Sequence, residues 1–310
     1  MVLKKPKGNR KELKGMESTK YCIIFNPLSG NGKGTAETEK LSTKINVSEC
    51  IDMTKIEDYT DFFAAHKGEN IIICGGDGTL NRFVNDTASI TFDNSIYYYA
   101  SGTGNDFLRD IEGKVGEVIN IDKYIKDLPV CSVNGKDYKF INGIGFGIDG
   151  YCCEVGDELR KKSDKPVNYT GIAIKGLLFH YKPTGATVTV DGVEHRFKKV
   201  WIAPTMLGRY YGGGMIATPD QNRLNEDGTL SSMIFRTTGR LRTLIIFPSI
   251  FKGEHVKKEK AVSVLSGKEI TVEFDSPRSL QVDGETILNV KKYTVKASVL
   301  SKPKEQEITV

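Results

Sequence analysis

Five aspartates in this chain are each followed directly by a glycine: Asp77, Asp149, Asp191, Asp227 and Asp283. An Asp-Gly pair between two alternating strands is a turn and needs no other account. That reading suffices for Asp191, between residues 186–190 and 193–197. It fails for Asp77. There an apolar run, residues 71–74, stops at Gly75-Gly76, and Asp77-Gly78-Thr79 leads into a helical pattern. Glycines let the main chain approach a ligand with its N–H groups facing it. A helix start favours an anion, and phosphate is the obvious one. Asp77 would repel a bare phosphate, so a cation such as magnesium belongs between them. Backbone amides, a Thr hydroxyl, a carboxylate and a metal together describe a nucleoside triphosphate site.

The elements that must position these groups alternate. Strand patterns at 21–25, 49–53, 71–74, 96–100 and 117–121 are separated by helical ones, which argues for a parallel sheet with helices on both faces. Such a sheet binds its ligand at the carboxyl ends of its strands. Three loops leave those ends, at 26–34, 75–79 and 101–106, and all are rich in Gly, Asn, Ser and Thr. Their phosphate-binding candidates are Asn26, Ser29, Gly30 and Lys33, then Gly75, Gly76, Asp77, Gly78 and Thr79, then Gly102, Thr103 and Asn105. The loop at 30–35 is not a Walker A loop, because Pro27 occupies the first glycine position and Gly34 follows the Lys. The stretch 102–107 lacks the third glycine of the dinucleotide fingerprint.

Near residue 128 the texture changes to short alternating strands. Hairpins are expected at 130–140, turning at Asn134-Gly135, and at 186–197. Further strands are expected at 200–203, 230–236, 261–265 and 270–274, with helices around 169–179 and 241–251. The predicted fold is therefore α/β plus all-β. A Rossmann-like parallel-sheet domain over 20–127 precedes an antiparallel β-sandwich domain over 128–289. Asp283 falls between two segments that could flank a plain hairpin.

Composition narrows the partners. The net charge of +5 resides in residues 1–15, where six basic residues face one acidic residue, so the rest of the chain is neutral. This argues against nucleic acid as a partner. The basic arm, 1–19, lacks the apolar core of a secretion signal and is expected to be disordered or to lie on anionic lipid. No apolar run approaches the ~20 residues of a membrane span. Six cysteines without a Cys-x-x-Cys and four scattered histidines suggest neither zinc nor a disulfide framework, and fit a reducing cytoplasm.

Gly75-Gly-Asp-Gly-Thr79 after a strand, followed by Gly102-Thr-Gly-Asn-Asp106, resembles the diacylglycerol kinase catalytic-domain family, which includes bacterial lipid kinases and sphingosine kinases. Asn26-Pro-x-Ser-Gly-x-Gly-Lys-Gly34, Asn142-x4-Gly147-x-Asp149, Gly212-Gly-Gly with Asp227-Gly-Thr-Leu230, and Asp283-Gly-Glu285 are similar to further family segments, in order, over roughly residues 20–300. The resemblance implies an ATP- and magnesium-dependent lipid kinase with its active site in the cleft between two domains. It also implies that the C-terminal segment, 290–310, with a strand at 293–300, returns to the first domain. Asp283 is then expected to be the base that deprotonates the lipid hydroxyl, supported by Glu285, so that Asp283→Asn abolishes turnover while ATP binding survives. Asp77, Asp106 and Asp149 are expected to serve the nucleotide magnesium. Asp227, with main-chain carbonyls near Leu230, is expected to bind a second magnesium, although Ser231 stands where an acidic residue is common. The substrate expected is diacylglycerol, giving phosphatidic acid, or a related lipid alcohol drawn from the inner face of a membrane. Residues 241–251 are a candidate membrane contact, and a homodimer is an expected assembly. The competing readings are a soluble-substrate kinase of the NAD kinase type and a non-catalytic nucleotide-binding regulator.

Overall fold

In the computed structural model, which describes residues 19–102, 104–163 and 167–298, the chain divides between Asp122 and Lys123. The expected boundary lay five residues later. Most of the basic arm, Thr103 and residues 299–310 lie outside the described residues.

The first unit holds one sheet of β1 (Tyr21–Phe25), β2 (Val47–Asp52), β3 (Asn70–Gly75), β4 (Ile96–Ala100) and β5 (Val118–Asn120), in the order β2-β1-β3-β4-β5. Its helices are α1 (Ser29–Gly32), α2 (Gly34–Ser42), α3 (Tyr59–Ala65), α4 (Asp77–Asp86) and α5 (Asp106–Asp110). The continuous apolar runs of β1 and β3 are explained by burial on both faces. Leu41 of α2 packs with Tyr21, Ile23, Ile72 and Cys74 on one face. On the other, His66 just after α3 meets Cys22, and Phe107 of α5 meets Tyr98 edge-on. Asp58 caps α3 by accepting from Thr60 N at 2.6 Å, and Phe63 stacks on Phe92 with centroids 4.1 Å apart.

Two expectations are corrected here. The strand at 117–121 is not parallel to its neighbour: β5 runs antiparallel to β4. The chain after α5 re-enters the sheet in the opposite sense, with Val118 opposite Tyr99 and Asn120 opposite Tyr97. The stretch 26–34 is also not a plain loop, since it winds into the short turn of helix α1 before α2 starts at Gly34.

The second unit is antiparallel. It contains β6 (Val130–Val133), β7 (Lys136–Lys139), β8 (Gly143–Phe146), β9 (Thr184–Val190), β10 (Val193–Ile202), β11 (Thr205–Met206), β12 (Tyr210–Tyr211), β13 (Met215–Ile216), β14 (Leu230–Arg236), β15 (Val262–Gly267), β16 (Glu269–Val282) and β17 (Glu285–Lys296). Six strands close into a ring, β16-β8-β11-β14-β10-β9, because β9 pairs with β16 as well as with β10. Phe146 stacks on Phe274 with centroids 4.2 Å apart, and Tyr293 meets Phe146 edge-on. The turn residues Asn134, Asp191 and Asp283 all have positive φ, at 50°, 47° and 45°, each followed by a positive-φ glycine. That is the geometry two-residue hairpins require.

Helix α6 (Ile148–Lys162) has no counterpart in the sequence reading, although Asp149 in its first turn and Arg160, Lys161 and Lys162 in its last are the charges that a helix dipole favours. Helix α7 (Tyr169–Lys175) continues into a π turn, Gly176–His180. Helix α8 (Arg240–Ile246) tightens into a 3-10 turn, Phe247–Lys252, at Pro248, which has no N–H to continue the α pattern. The expected return of residues 290–310 to the first domain is corrected for the described part. β17 pairs with β16 along its length and with β6 at Tyr293–Lys296, so the chain to Ser298 stays in the second unit.

Candidate active site

In the first unit the three glycine loops meet at the carboxyl ends of β1, β3 and β4. Gly30 has φ 58°, and a Cβ there would lie 2.5 Å from Ser101 O. Gly102 lies so close to Gly76 that a Cβ on it would stand 2.5 Å from the Gly76 Cα. Backbone therefore packs on backbone, which explains why these positions lack side chains. Ser29 Oγ lies 3.4 Å from Ser101 Oγ, and Ser101 N and the Tyr98 hydroxyl both donate to Gly75 O, at 2.9 and 3.1 Å. Burial, and then the charge of Asp77, push the Tyr98 hydroxyl well above its ordinary pKa.

Asp77 opens α4, and its carboxylate reaches across to α5. Asp106 N donates to Oδ2 at 2.8 Å, and Phe107 N donates to Oδ1 at 3.1 Å. One carboxylate thus caps the helix that the third loop enters, and ties the second loop to the third. Asn105, at φ 52°, makes the left-handed turn into α5, and among the described residues its buried Oδ1 has no hydrogen-bond partner. Asp106 is buried and accepts from Arg109 Nη1 at 3.3 Å. Among the described residues no side chain caps α4 itself. Of the remaining expected residues, Asn26 Oδ1 accepts from Leu28 N at 3.0 Å and shapes its own turn, Lys33 is exposed, and Thr79 is buried against Gly75.

In the second unit Asp283 is bound in an unexpected way. Its Oδ2 accepts from Ile141 N at 2.5 Å, and its Oδ1 accepts from Asn142 N at 2.9 Å and Gly143 N at 3.0 Å. Asp283 N donates back to Gly143 O at 3.1 Å. Three amides leave this carboxylate little capacity to accept a substrate proton. Its visible role is to dock the β16–β17 turn onto the segment entering β8. Glu285, two residues on, is exposed, and its carboxylate makes no hydrogen bond or ion pair among the described residues. The assignment of the base to Asp283 thus meets a geometric objection that Glu285 does not. Arg223, which carried no signal in the sequence, holds the same segment from another side, donating to Ile141 O at 3.1 Å and Asn142 Oδ1 at 3.3 Å.

Asp149 sits in the first turn of α6 at 9% exposure, and among the described residues neither oxygen has a partner at hydrogen-bond geometry. Burial pushes its carboxyl up to about 7, against weaker opposing pulls from the Gly150 and Asp149 amides and the Tyr211 hydroxyl. An orphaned buried carboxylate suits either a proton or a cation.

The second metal site does not fit. Asp227 is exposed. The neighbouring Thr229 carbonyl already accepts from Gln221 Nε2 and Asn225 Nδ2, both at 2.9 Å, and N–H donors stand where a cation would need lone pairs. Leu230 is buried at the start of β14, opposite Gly267. Ser231 Oγ donates to Gln221 Oε1 at 2.5 Å and lies 2.8 Å from Ser266 Oγ. Among the described residues no three His, Cys, Asp or Glu side chains converge on one point. A nucleotide magnesium tolerates this, because phosphates and water supply most of its shell, whereas a metal held wholly by protein does not.

Comparison with known proteins places both units. Residues 20–130 match the diacylglycerol kinase catalytic domain, and residues 142–300 match the YegS C-terminal NAD kinase beta sandwich-like domain. A diacylglycerol kinase of Mycobacterium tuberculosis (strain CDC 1551 / Oshkosh) is 25% identical over 278 residues, covering 84% of this chain and 87% of that protein. A solved diacylglycerol kinase structure from Bacillus anthracis str. Sterne shares the fold at TM-score 0.56 and 19% identity, covering 90% of this chain and 94% of that one.

Proposed function

Because the chain belongs to the diacylglycerol kinase catalytic-domain family and is thus a lipid kinase, we propose that it transfers the γ-phosphate of ATP to the primary hydroxyl of diacylglycerol or a closely related lipid alcohol. The observation that carries the nucleotide half of this reading is the meeting of three side-chain-poor loops beside the start of α4, with the unpartnered Asn105 Oδ1 among them. Phosphate oxygens suit the main-chain N–H groups of such loops, and the helix start adds to the attraction.

Asp77 and Asp106 are the first-unit carboxylates that would hold a nucleotide magnesium, which when bound neutralises phosphate charge. Asp77 also orders α5, so its loss would disturb the loop as well as the metal. Asp149 is the second-unit carboxylate whose orphaned oxygens suit a cation. Glu285 takes the proton of the attacking lipid hydroxyl, and Asp283 holds the turn that presents it. A positioned carboxylate base supplies roughly 10²–10⁴-fold. The remainder of catalysis is positioning and charge neutralisation, as is general for phosphoryl transfer.

The test is ADP release with ATP, magnesium and a panel of lipid alcohols in mixed micelles, with NAD as control. Release that requires diacylglycerol or one relative supports the proposal and names the substrate. Release with NAD and no lipid would reassign the protein to soluble-substrate kinases. Binding of ATP without release on any lipid would reject the catalytic reading.

A further inference from the structure

The second unit presents an apolar face that the proposed chemistry does not use. Helix α7 with its π turn lies beside α8 with its 3-10 turn, and Arg240 Nη1 donates to Leu177 O at 2.6 Å across them. Both elements seat on one hydrophobic cluster around Trp201 and Phe235, through Ile172 and Leu177 from the first and Leu244, Phe247 and Ile250 from the second. Their other sides carry Phe179, Leu241 and Ile245, which are 69%, 73% and 71% exposed, flanked by the less exposed Ile174 and Phe251. Leu241 and Ile245 are one helical turn apart and share a face. Phe179 stands on the π turn, an uncommon conformation that concentrates at functional positions. Single exposed apolar residues are ordinary, but five on two adjoining elements are not.

Charge indicates the occupant. Lys175, Arg242 and Lys252 are exposed on the same two elements, and Lys182 is exposed just after the π turn. Neither 167–182 nor 237–253 contains an Asp or Glu, in a chain with 39 of them among 310 residues. Outside its first fifteen residues the chain is neutral, so this face is a local cationic excess around an apolar centre. That combination fits the boundary between anionic headgroups and acyl chains.

We propose that this face docks on an anionic bilayer, with Phe179, Leu241 and Ile245 entering the acyl boundary and the four basic side chains meeting lipid phosphates. The inference rests on the lipid-kinase reading, since the substrate resides in a bilayer, and adds where the protein meets it. Flotation with vesicles of phosphatidylglycerol and phosphatidylcholine tests it. The wild type floats with the anionic vesicles, and less at high salt, where the screening length shrinks. Leu241→Glu combined with Ile245→Glu reduces flotation about tenfold or more, and Arg242→Ala weakens it roughly fivefold. Val193→Glu, which alters an equally exposed apolar residue on the β9–β10 hairpin, leaves flotation unchanged. Matching thermal midpoints show that the variants fold, and turnover of short-chain diacylglycerol in detergent micelles reads the chemistry separately. Wild-type protein that ignores anionic vesicles, or a double variant that floats normally, overturns the proposal. So does a dimer that the double variant splits into monomers without any vesicle binding, which would give the face to a second copy. If flotation behaves as expected while no lipid is phosphorylated, the docking face stands and the proposed substrate falls.

Discussion

On the proposed function, Asp283 and Glu285 carry two separate tasks, positioning and proton transfer. Asp283 accepts three main-chain amides and Glu285 accepts none among the described residues. Glu285→Gln is therefore expected to lower kcat by about 10² or more with an unchanged thermal midpoint. Asp283→Asn turns an amide N–H₂ toward groups that can themselves only donate, and is expected to cost about 1–3 kcal/mol of stability as well as activity. Steady-state kinetics and thermal unfolding on both variants check this. An Asp283→Asn protein of normal stability without turnover would return the base to Asp283. The Asp-Gly signal at 283 was legible as a hairpin and proved to be one. What its carboxylate binds was not legible, because Ile141 lies 142 positions away along the chain.

Elements are joined by similar small polar hubs. Glu69 precedes β3 and accepts from Lys20 Nζ at 2.5 Å beside β1 and from Ser48 Oγ at 2.6 Å in β2, while His66 Nδ1 after α3 lies 3.1 Å away. Partial burial alone would raise its pKa, but these three partners outweigh it and hold the carboxyl at about 2. The folded-state value lies below the unfolded one, so the stabilisation is fully present above about pH 4.5 and is lost as the pH falls toward 2. Because Lys20 is largely exposed and solvent screens the pair, the linked stability is about 1 kcal/mol. Glu69→Gln is expected to unfold at lower denaturant concentration at pH 7, with the difference from wild type closing as the pH approaches 2. A constant difference across that range would exclude the hub. Periodicity located the strands that Glu69 joins, but gave Glu69 itself no distinguishing mark.

At the scale of the molecule, two sheets of different kind carry different chemistry, and metal dependence should follow that division. On the proposed function, the first unit would offer Asp77 and Asp106 to a metal that arrives with a nucleotide. The second replaces the expected structural metal with amide and hydroxyl bonds around Gln221, Asn225 and Ser231. EDTA is therefore expected to abolish kinase turnover while leaving the thermal midpoint of the nucleotide-free protein unchanged, and Asp227→Ala is expected to leave metal stoichiometry unchanged. A midpoint that falls on chelation and recovers with magnesium would restore the second metal. Among the described residues no helix is long and apolar enough to cross a bilayer.

The sequence by itself determined the order of strands and helices in the first unit, the loops at 75–79 and 101–106, the hairpin turns at Asn134 and Asp191, and the family. These depend on local rules: alternation, glycine at tight or close-packed positions, and Asx-Gly at two-residue turns. Tertiary structure decided the antiparallel entry of β5, the closure of the second sheet through β9 and β16, and the place of β17. It also decided that Asp77 caps α5, that Asp283 is enclosed by amides, and that among the described residues the Asp149 carboxylate has no partner at hydrogen-bond geometry. Each of these depends on which distant backbone groups reach a given carboxylate or strand edge. Such pairings are set by packing across the whole unit, and residue spacing along the chain does not record them.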